Sequence, residues 1–172
     1  MSRGVEGKAR RFGHRVSTDT IISSSRKRES IDPHLLKAFI FESVDPRFAA
    51  SVTRGDILVA GRAFGCGSAM EVAVTVLQAA GFSAVVAEDF SRSYLRNAVN
   101  NGLLPVECDT SSIEEGDQLR VDVGRESVRV VNVTQKRVLE ARAWPPFLLD
   151  ILEAGGLVNY LRDGDGFANT RS

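Results

Sequence analysis

Chemistry is concentrated in Gly61-Arg62-Ala63-Phe64-Gly65-Cys66-Gly67-Ser68-Ala69-Met70-Glu71. One hydroxyl, one thiol and one carboxylate sit there among three glycines, with a serine whose neighbours are small. A serine hydroxyl is a weak base or nucleophile unless its surroundings stabilise the alkoxide. Glycines let backbone N–H groups face a ligand at close range, so the stretch suits an anion or a developing oxyanion. The plainer reading is a turn whose serine only caps a helix, since Ser68 followed by Glu71 has the spacing of a capping box. Spacing leaves both readings open.

The flanks say what must position this stretch. Asp56 to Ala60 is a short apolar run bounded by turn residues, as in a buried strand. Val72, Val76, Leu77 and Ala80 recur at helical spacing, and Gly81 is a natural stop. Ser83 to Ala87 reads as another buried strand. Strand, glycine loop, helix and strand form a β-α-β unit, whose crossover is normally right-handed. Phe90 to Asn101 predicts a second helix closed by Gly102, followed by a strand over Leu103 to Glu107. Gln118 to Val123 and Ser127 to Val133 alternate about Gly124-Arg125 and predict a hairpin. Upstream, Asp32-Pro33 opens a helix presenting Leu35, Leu36 and Phe39, and Pro46 to Ala50 is a second short helical piece. Trp144-Pro145-Pro146-Phe147 starts a late helix ending at Gly155-Gly156, and one more turn or helix follows around Leu157 to Leu161.

The residues of the glycine stretch resemble the active-site loop of the aconitase superfamily, in particular the small subunit of 3-isopropylmalate dehydratase. That family reads Gly-x-x-Phe/Tyr-Gly-x-Gly-Ser-Ser-Arg-Glu. Gly61, Phe64, Gly65, Gly67, Ser68 and Glu71 match it, whereas Ala69 and Met70 replace the second serine and the arginine. Val16-Ser17-Thr18-Asp19-Thr20-Ile21-Ile22 resembles the family's Asp-Thr-Asp-x-Ile-Ile segment, with Asp19 and Thr20 matching and Ser17 in place of the first aspartate. Phe90 to Leu103 resembles Phe-Ala-x-Ile-Phe-Tyr-Arg-Asn-Ala-x-Asn-x-Gly-Leu, with Tyr94, Arg96, Asn97, Asn100 and Gly102 at matching positions. The motifs keep the family's order from Val16 to Pro105.

The resemblance implies an α/β fold of the aconitase swivelling type, a central sheet or open barrel flanked by helices. It also implies half an active site. In that family a separate large subunit, in a heterodimer or higher assembly, holds a 4Fe–4S cluster whose iron acts as a Lewis acid on a hydroxy acid, and this chain would bind no cofactor or metal itself. Ser68 would supply the base that removes a proton beside a carboxylate. Gly65, Cys66, Gly67, Ala69 and Met70 would line the substrate. The family's loop corresponding to Ser23–Ser30 begins Tyr-Leu and selects the substrate's side group; here that pair is absent and Arg26-Lys27-Arg28 appears. A basic run in a polar loop is ordinarily solvated surface, but Arg26 and Arg28 could replace the lost arginine as an anion clamp. Asp19 would orient the site or stabilise a turn. The loss of the motif arginine leaves a second reading, a non-catalytic binding or regulatory paralogue that keeps the fold and the subunit interface.

Composition excludes other classes. Lys plus Arg total 22 and Asp plus Glu total 22, so no net field draws nucleic acid or an anionic membrane. No apolar run approaches a bilayer span. Cys66 and Cys108 are the only cysteines, too few for a cubane cluster and without zinc-type spacing; they read as thiols in a reducing cytoplasm. His14 and His34 stand in no recognisable catalytic spacing and read as surface residues. Residues 14–162 are expected to form one swivelling domain. Residues 1–13, basic and without an apolar centre, read as a mobile arm, and 163–172 as a polar tail.

Overall fold

A computed structural model describes residues 3–164. Seven strands form one sheet in the order β4-β3-β2-β1-β5-β6-β7. The strands are β1 (Arg3–Arg11), β2 (Ile57–Val59), β3 (Ala84–Ala87), β4 (Leu104–Glu107), β5 (Gln118–Val123), β6 (Val128–Asn132) and β7 (Arg137–Ala141). The helices are α1 (Thr18–Ile21), α2 (Ser24–Glu29), α3 (Pro33–Leu36), α4 (Phe48–Ser51), α5 (Val72–Ala80), α6 (Arg92–Asn101), α7 (Pro146–Glu153) and α8 (Leu157–Asp163), with a 3₁₀ turn at Lys37–Phe39.

The first four strands are mutually parallel and the last four antiparallel, with β1 shared between the halves. Beyond β7, the Arg142 N–H donates to the Glu107 carbonyl at the end of β4, 2.9 Å away, which nearly closes the sheet into a barrel. Side-chain parity then divides the interior in two. On β2, Ile57 and Val59 face the barrel core while Leu58 faces a second core; on β3, Ala84 and Val86 face the first and Val85 and Ala87 the second. Both faces of these strands are covered, which is why they read as continuous apolar runs rather than alternating ones. The barrel core is completed by Leu119, Val121, Val128 and Val130 and plugged by Trp144, whose indole N–H donates to the Pro105 carbonyl at 2.9 Å. The second core holds Ile21, Ile40, Phe41, Phe64, Val76, Leu77 and Tyr94 between the sheet and the helices that carry the glycine stretch.

The structure differs from the sequence-based expectations at several elements. Of the expected mobile arm, residues 1 and 2 lie outside the described residues, and Arg3–Arg11 is instead the strand on which the two half-sheets meet. Its inward positions are Val5, Gly7 and Ala9, so small that no hydrophobic signal survives, and Gly7 is required because an added Cβ would lie 1.9 Å from the Gly55 carbonyl oxygen. The outward Arg10 is nonetheless buried, paired with Asp56 at 3.2 Å and set over the Phe48 ring at 4.6 Å. The Ser23–Ser30 loop contains the helix α2, capped by the Ser23 hydroxyl. Arg137–Ala141, unassigned from sequence, is the edge strand β7, whose mixed exposure gives no clean alternation. Of the polar tail, Asp163 ends α8 and residues 165–172 lie outside the described residues. In α3 only Leu36 is buried, and Leu35 is exposed.

Candidate active site

The glycine stretch runs from the end of β2 to the start of α5, and two distant segments hold it. The Gly65 N–H donates to the Val16 carbonyl at 2.7 Å, and the Thr18 N–H to the Cys66 carbonyl at 2.9 Å. Thr18 Oγ1 lies 3.4 Å from the point where a Cβ on Gly67 would sit. The structure therefore brings the Val16–Ile22 segment against the glycine loop. From the other side, the Ser91 hydroxyl at the N-cap of α6 donates to the Gly65 carbonyl at 2.8 Å, and the Ser91 N–H to the Phe64 carbonyl at 2.9 Å. Gly65 takes φ +79° directly over Tyr94, so no side chain fits there. Burial pushes the Tyr94 hydroxyl well above the usual phenol range; it stays protonated and donates to the Ala73 carbonyl at 3.0 Å.

Ser68 does not cap α5. The helix starts at Val72, its N-cap is Glu71, and no side chain bonds the cap. The Ser68 carbonyl instead accepts from the Met70 N–H at 2.9 Å, which extends the loop by one turn before the helix begins. Residues 67–71 are exposed. Among the described residues the Ser68 hydroxyl has no hydrogen-bond partner, nor do the backbone N–H groups of Gly67, Ser68 and Ala69. These N–H groups, more than the α5 dipole, offer positive potential at Ser68. The dipole fades within a turn of the helix end, and the carboxylate of Glu71 sits at that end. Cys66 is half-buried in the loop, and Met70 beyond Ser68 is exposed.

The other candidate residues are engaged differently. Asp19 lies in the first turn of α1, and its carboxylate accepts from the Ser24 hydroxyl at 2.6 Å and from the Lys27 ammonium at 3.2 Å. The Ser24 hydroxyl first, and Lys27 second, hold its carboxyl below the usual carboxylate range. Asp19 thus ties α1 to α2. The Arg26 guanidinium makes two bonds to Glu42, at 3.0 and 3.2 Å, one to Glu29, and stacks 3.7 Å from the centre of the Phe39 ring. Arg28 is exposed and has no ion pair among the described residues. Of the basic run, Arg28 is the cation left without a carboxylate.

Sequence reasoning passed over His14. Its Nδ1 accepts the Arg62 N–H at 2.8 Å, and it occupies the space beside Gly61, where an added Cβ would lie 2.1 Å from Nδ1. The Arg15 N–H donates to the Arg62 carbonyl at 2.7 Å, with Arg15 itself at φ 56°. Ala63, at φ 55°, donates its N–H to the Asp89 carboxylate at 2.6 Å. The glycine at position 61 signalled a close approach, but only the fold names the residue that makes it.

No group of three or more His, Cys, Asp or Glu side chains among the described residues is placed to hold a metal ion. Cys108 is buried, and burial with the nearby Asp109 and Glu88 carboxylates pushes its thiol up to about 12. A 4Fe–4S cluster takes about three or four thiolates, so this chain's two cysteines do not fit such a site.

Residues 17–111 match the family model described as the aconitase C-terminal domain, a span that contains the glycine stretch, both segments that brace it and the β-α-β unit. The chain belongs to the aconitase family. Within that family it is 41% identical over 160 residues to the isopropylmalate/citramalate isomerase small subunit of Methanocaldococcus jannaschii, covering 92% of this chain and 94% of the relative. It is 37% identical over 158 residues to the methanogen homoaconitase small subunit of the same organism, covering 92% and 91%. The crystal structure of a 3-isopropylmalate dehydratase from that organism superimposes with a TM-score of 0.87 at 37% identity, over 94% of this chain and 95% of the other. The aconitase-type swivelling fold is thereby established for the whole described chain, including β1 and the β5–β7 meander that lie outside the family match.

Proposed function

We propose that this chain is the small subunit of a two-subunit iron–sulfur hydro-lyase of the isopropylmalate-dehydratase type, and that Ser68 is its base. The observation that carries the proposal is the state of Ser68: an exposed hydroxyl with no protein partner, flanked by three unpaired backbone N–H groups. The hydroxyl is committed neither to a cap nor to packing, and is open to a ligand. Relatives of comparable identity bear the names of dehydratase, isomerase and homoaconitase small subunits, so the family supports a hydro-lyase component and identity alone does not choose the hydroxy acid. The partner is a large subunit, and the setting is the cytoplasm; among the described residues no helix is long and apolar enough to cross a membrane.

The chain's contribution follows from the geometry. The substrate approaches the loop of residues 65–70, where the N–H groups of Gly67, Ser68 and Ala69 have no protein partner among the described residues. The same N–H groups lower the cost of an alkoxide on Ser68. That alkoxide takes the proton from the carbon beside the carboxylate. The electron pair of the broken C–H bond forms the double bond as the C–O bond on the adjacent carbon breaks, and the departing hydroxide takes a proton from a donor outside this chain, on the partner subunit or in solvent, and leaves as water. Addition of water in the opposite sense returns the isomer and restores the Ser68 proton balance. A 4Fe–4S cluster held by the partner subunit would supply Lewis acidity at the substrate's hydroxyl. Of the basic run, Arg28 is the member free to meet a substrate carboxylate, and Asp19 with Lys27 ties α1 to the helix that carries it.

The test is reconstitution with the large subunit, comparing wild type with Ser68→Ala. Because Ser68 makes no cap, the substitution should change stability by less than about 0.5 kcal/mol, as for a surface residue, while turnover falls by roughly 10²–10⁴-fold. A variant that retains a tenth of the rate removes Ser68 as the base. A wild-type complex that assembles but turns over no hydroxy acid favours the non-catalytic paralogue.

A further inference from the structure

A groove between two helices lies outside the glycine stretch. It has a volume of about 290 Å³ and runs between α6 and α7, lined by Arg92, Leu95, Arg96, Val99, Asn100 and Leu148. Its floor is apolar: Val99 is buried, and Leu95 and Leu148 are half-buried against the barrel core. Its edge is cationic. Arg92 and Arg96 stand one turn apart on the same face of α6, both exposed, with no ion pair among the described residues. Helix α6 has no acidic residue of its own, and Asp150 on α7 is engaged with Arg125 at 3.0 Å. The positive end of α6 adds to the field at Arg92, its first residue.

The groove is also mechanically part of the site. Ser91, the residue before Arg92, holds the Gly65 carbonyl. Ser68 is three residues further along, so its Cα is within about 11 Å of that of Gly65. A partner that covers Ser68 with an interface of standard size, roughly 800 Å² a side, reaches as far as the first turn of α6. A cleft of this size lies at the lower edge of small-ligand sites, which bury most of the ligand, and here the flanking guanidiniums are open to solvent. An apolar pocket rimmed by arginines is instead the composition of a protein–protein anchor point, where one inserted side chain is ringed by polar contacts.

We propose that this groove receives a segment of the large subunit consisting of an apolar side chain flanked by carboxylates. The inference rests on the two-subunit reading above and adds the surface by which the partner docks. The carboxylates pair with Arg92 and Arg96, and the apolar side chain fills the floor between Leu95, Val99 and Leu148. The arginines steer association, and the glycine stretch is brought under the partner as a consequence.

The experiment measures the dissociation constant between the full chain and the large subunit at low and high salt, for wild type, the double variant Arg92→Gln/Arg96→Gln, and Leu148→Gln as a second probe of the floor. Arg137→Gln, an exposed arginine on β7, is the control. Thermal melts of the free chains establish that all four fold. The double variant and Leu148→Gln should each bind at least tenfold more weakly, the double variant with a shallower salt dependence. Turnover at saturating partner should stay within twofold of wild type, because none of these residues touches the substrate. Unchanged dissociation constants in both variants overturn the docking surface and leave the hydro-lyase reading intact. Wild-type chain that binds no large subunit overturns both. A double variant that binds normally but loses turnover would place Arg92 and Arg96 at the substrate instead, which also overturns the docking surface.

Discussion

Replacing Gly65 by Ala tests what holds Ser68 in place. Two costs follow from the structure. An L-residue at φ +79° sits in the left-handed region, worth about 1–2 kcal/mol. The new Cβ would lie 2.2 Å from Tyr94 Cγ and 2.4 Å from its Cβ, far inside ordinary contact. Tyr94 cannot give way freely: it is 2% exposed, its ring meets Phe64 edge-on at 5.1 Å, and its hydroxyl is bonded to Ala73. Overpacking of this kind costs a further ~1–3 kcal/mol, for a total of about 2–5 kcal/mol. With an m-value near ~2 kcal/mol/M, the urea midpoint should fall by about 1–2.5 M. Gly67→Ala is the matched control. It takes φ +96° but would meet only Thr18 Oγ1 at 3.4 Å and Ser17 Cβ at 3.8 Å, so it should show the conformational cost alone. In a Tyr94→Gly background both contacts disappear, and Gly65→Ala should cost ~1–3 kcal/mol less than in wild type. If Gly65→Ala and Gly67→Ala destabilise equally, or if Gly65 and Tyr94 act additively, the tyrosine does not buttress the loop and the reasoning fails.

Two further outcomes are expected. Met70→Arg restores the family's guanidinium beside Ser68 and should raise efficiency on isopropylmalate by at least tenfold relative to a hydroxy acid with one carboxylate fewer, read from kcat/KM for both; an unchanged ratio would mean that position 70 does not face substrate. Asp117 is buried, a setting that raises a carboxyl, but the Glu114 N–H, the Asn132 amide and the Gln135 amide outweigh it and leave the group depressed. A depressed carboxyl contributes stability that is present above its unfolded pKa, near 3.9, and is lost as pH falls through the folded value. Asp117→Asn should therefore lower stability at pH 7 and flatten its decline below about pH 4, and a wild-type-like acid slope would refute this.

What the sequence determined by itself is local. The buried strand at Ile57–Val59, the helix ended by Gly81 at φ +106° and the helix capped by Ser91 and closed by Gly102 at φ +77° follow from signals within a dozen residues. The resemblance to the aconitase family rests on the same stretches, where side-chain identities are tied to a backbone that approaches itself closely. What the tertiary structure alone decided involves partners far along the chain. Strand β1 pairs with segments about fifty and over one hundred residues away and carries only Val5, Gly7 and Ala9 inward, so it has no periodic signal. Ser68 followed by Glu71 has a capping spacing, yet the helix starts four residues beyond Ser68, because the Gly65 and Cys66 backbone is bound to Val16 and Thr18. Arg26 and Arg28 are equivalent in sequence, but Glu42 and Phe39 claim the first and leave the second exposed. His14 carries no motif and is nevertheless the group that fits against Gly61. Spacing specifies conformation where the competing contacts are local; which hydroxyl or cation stays free is set by whatever the fold packs beside it.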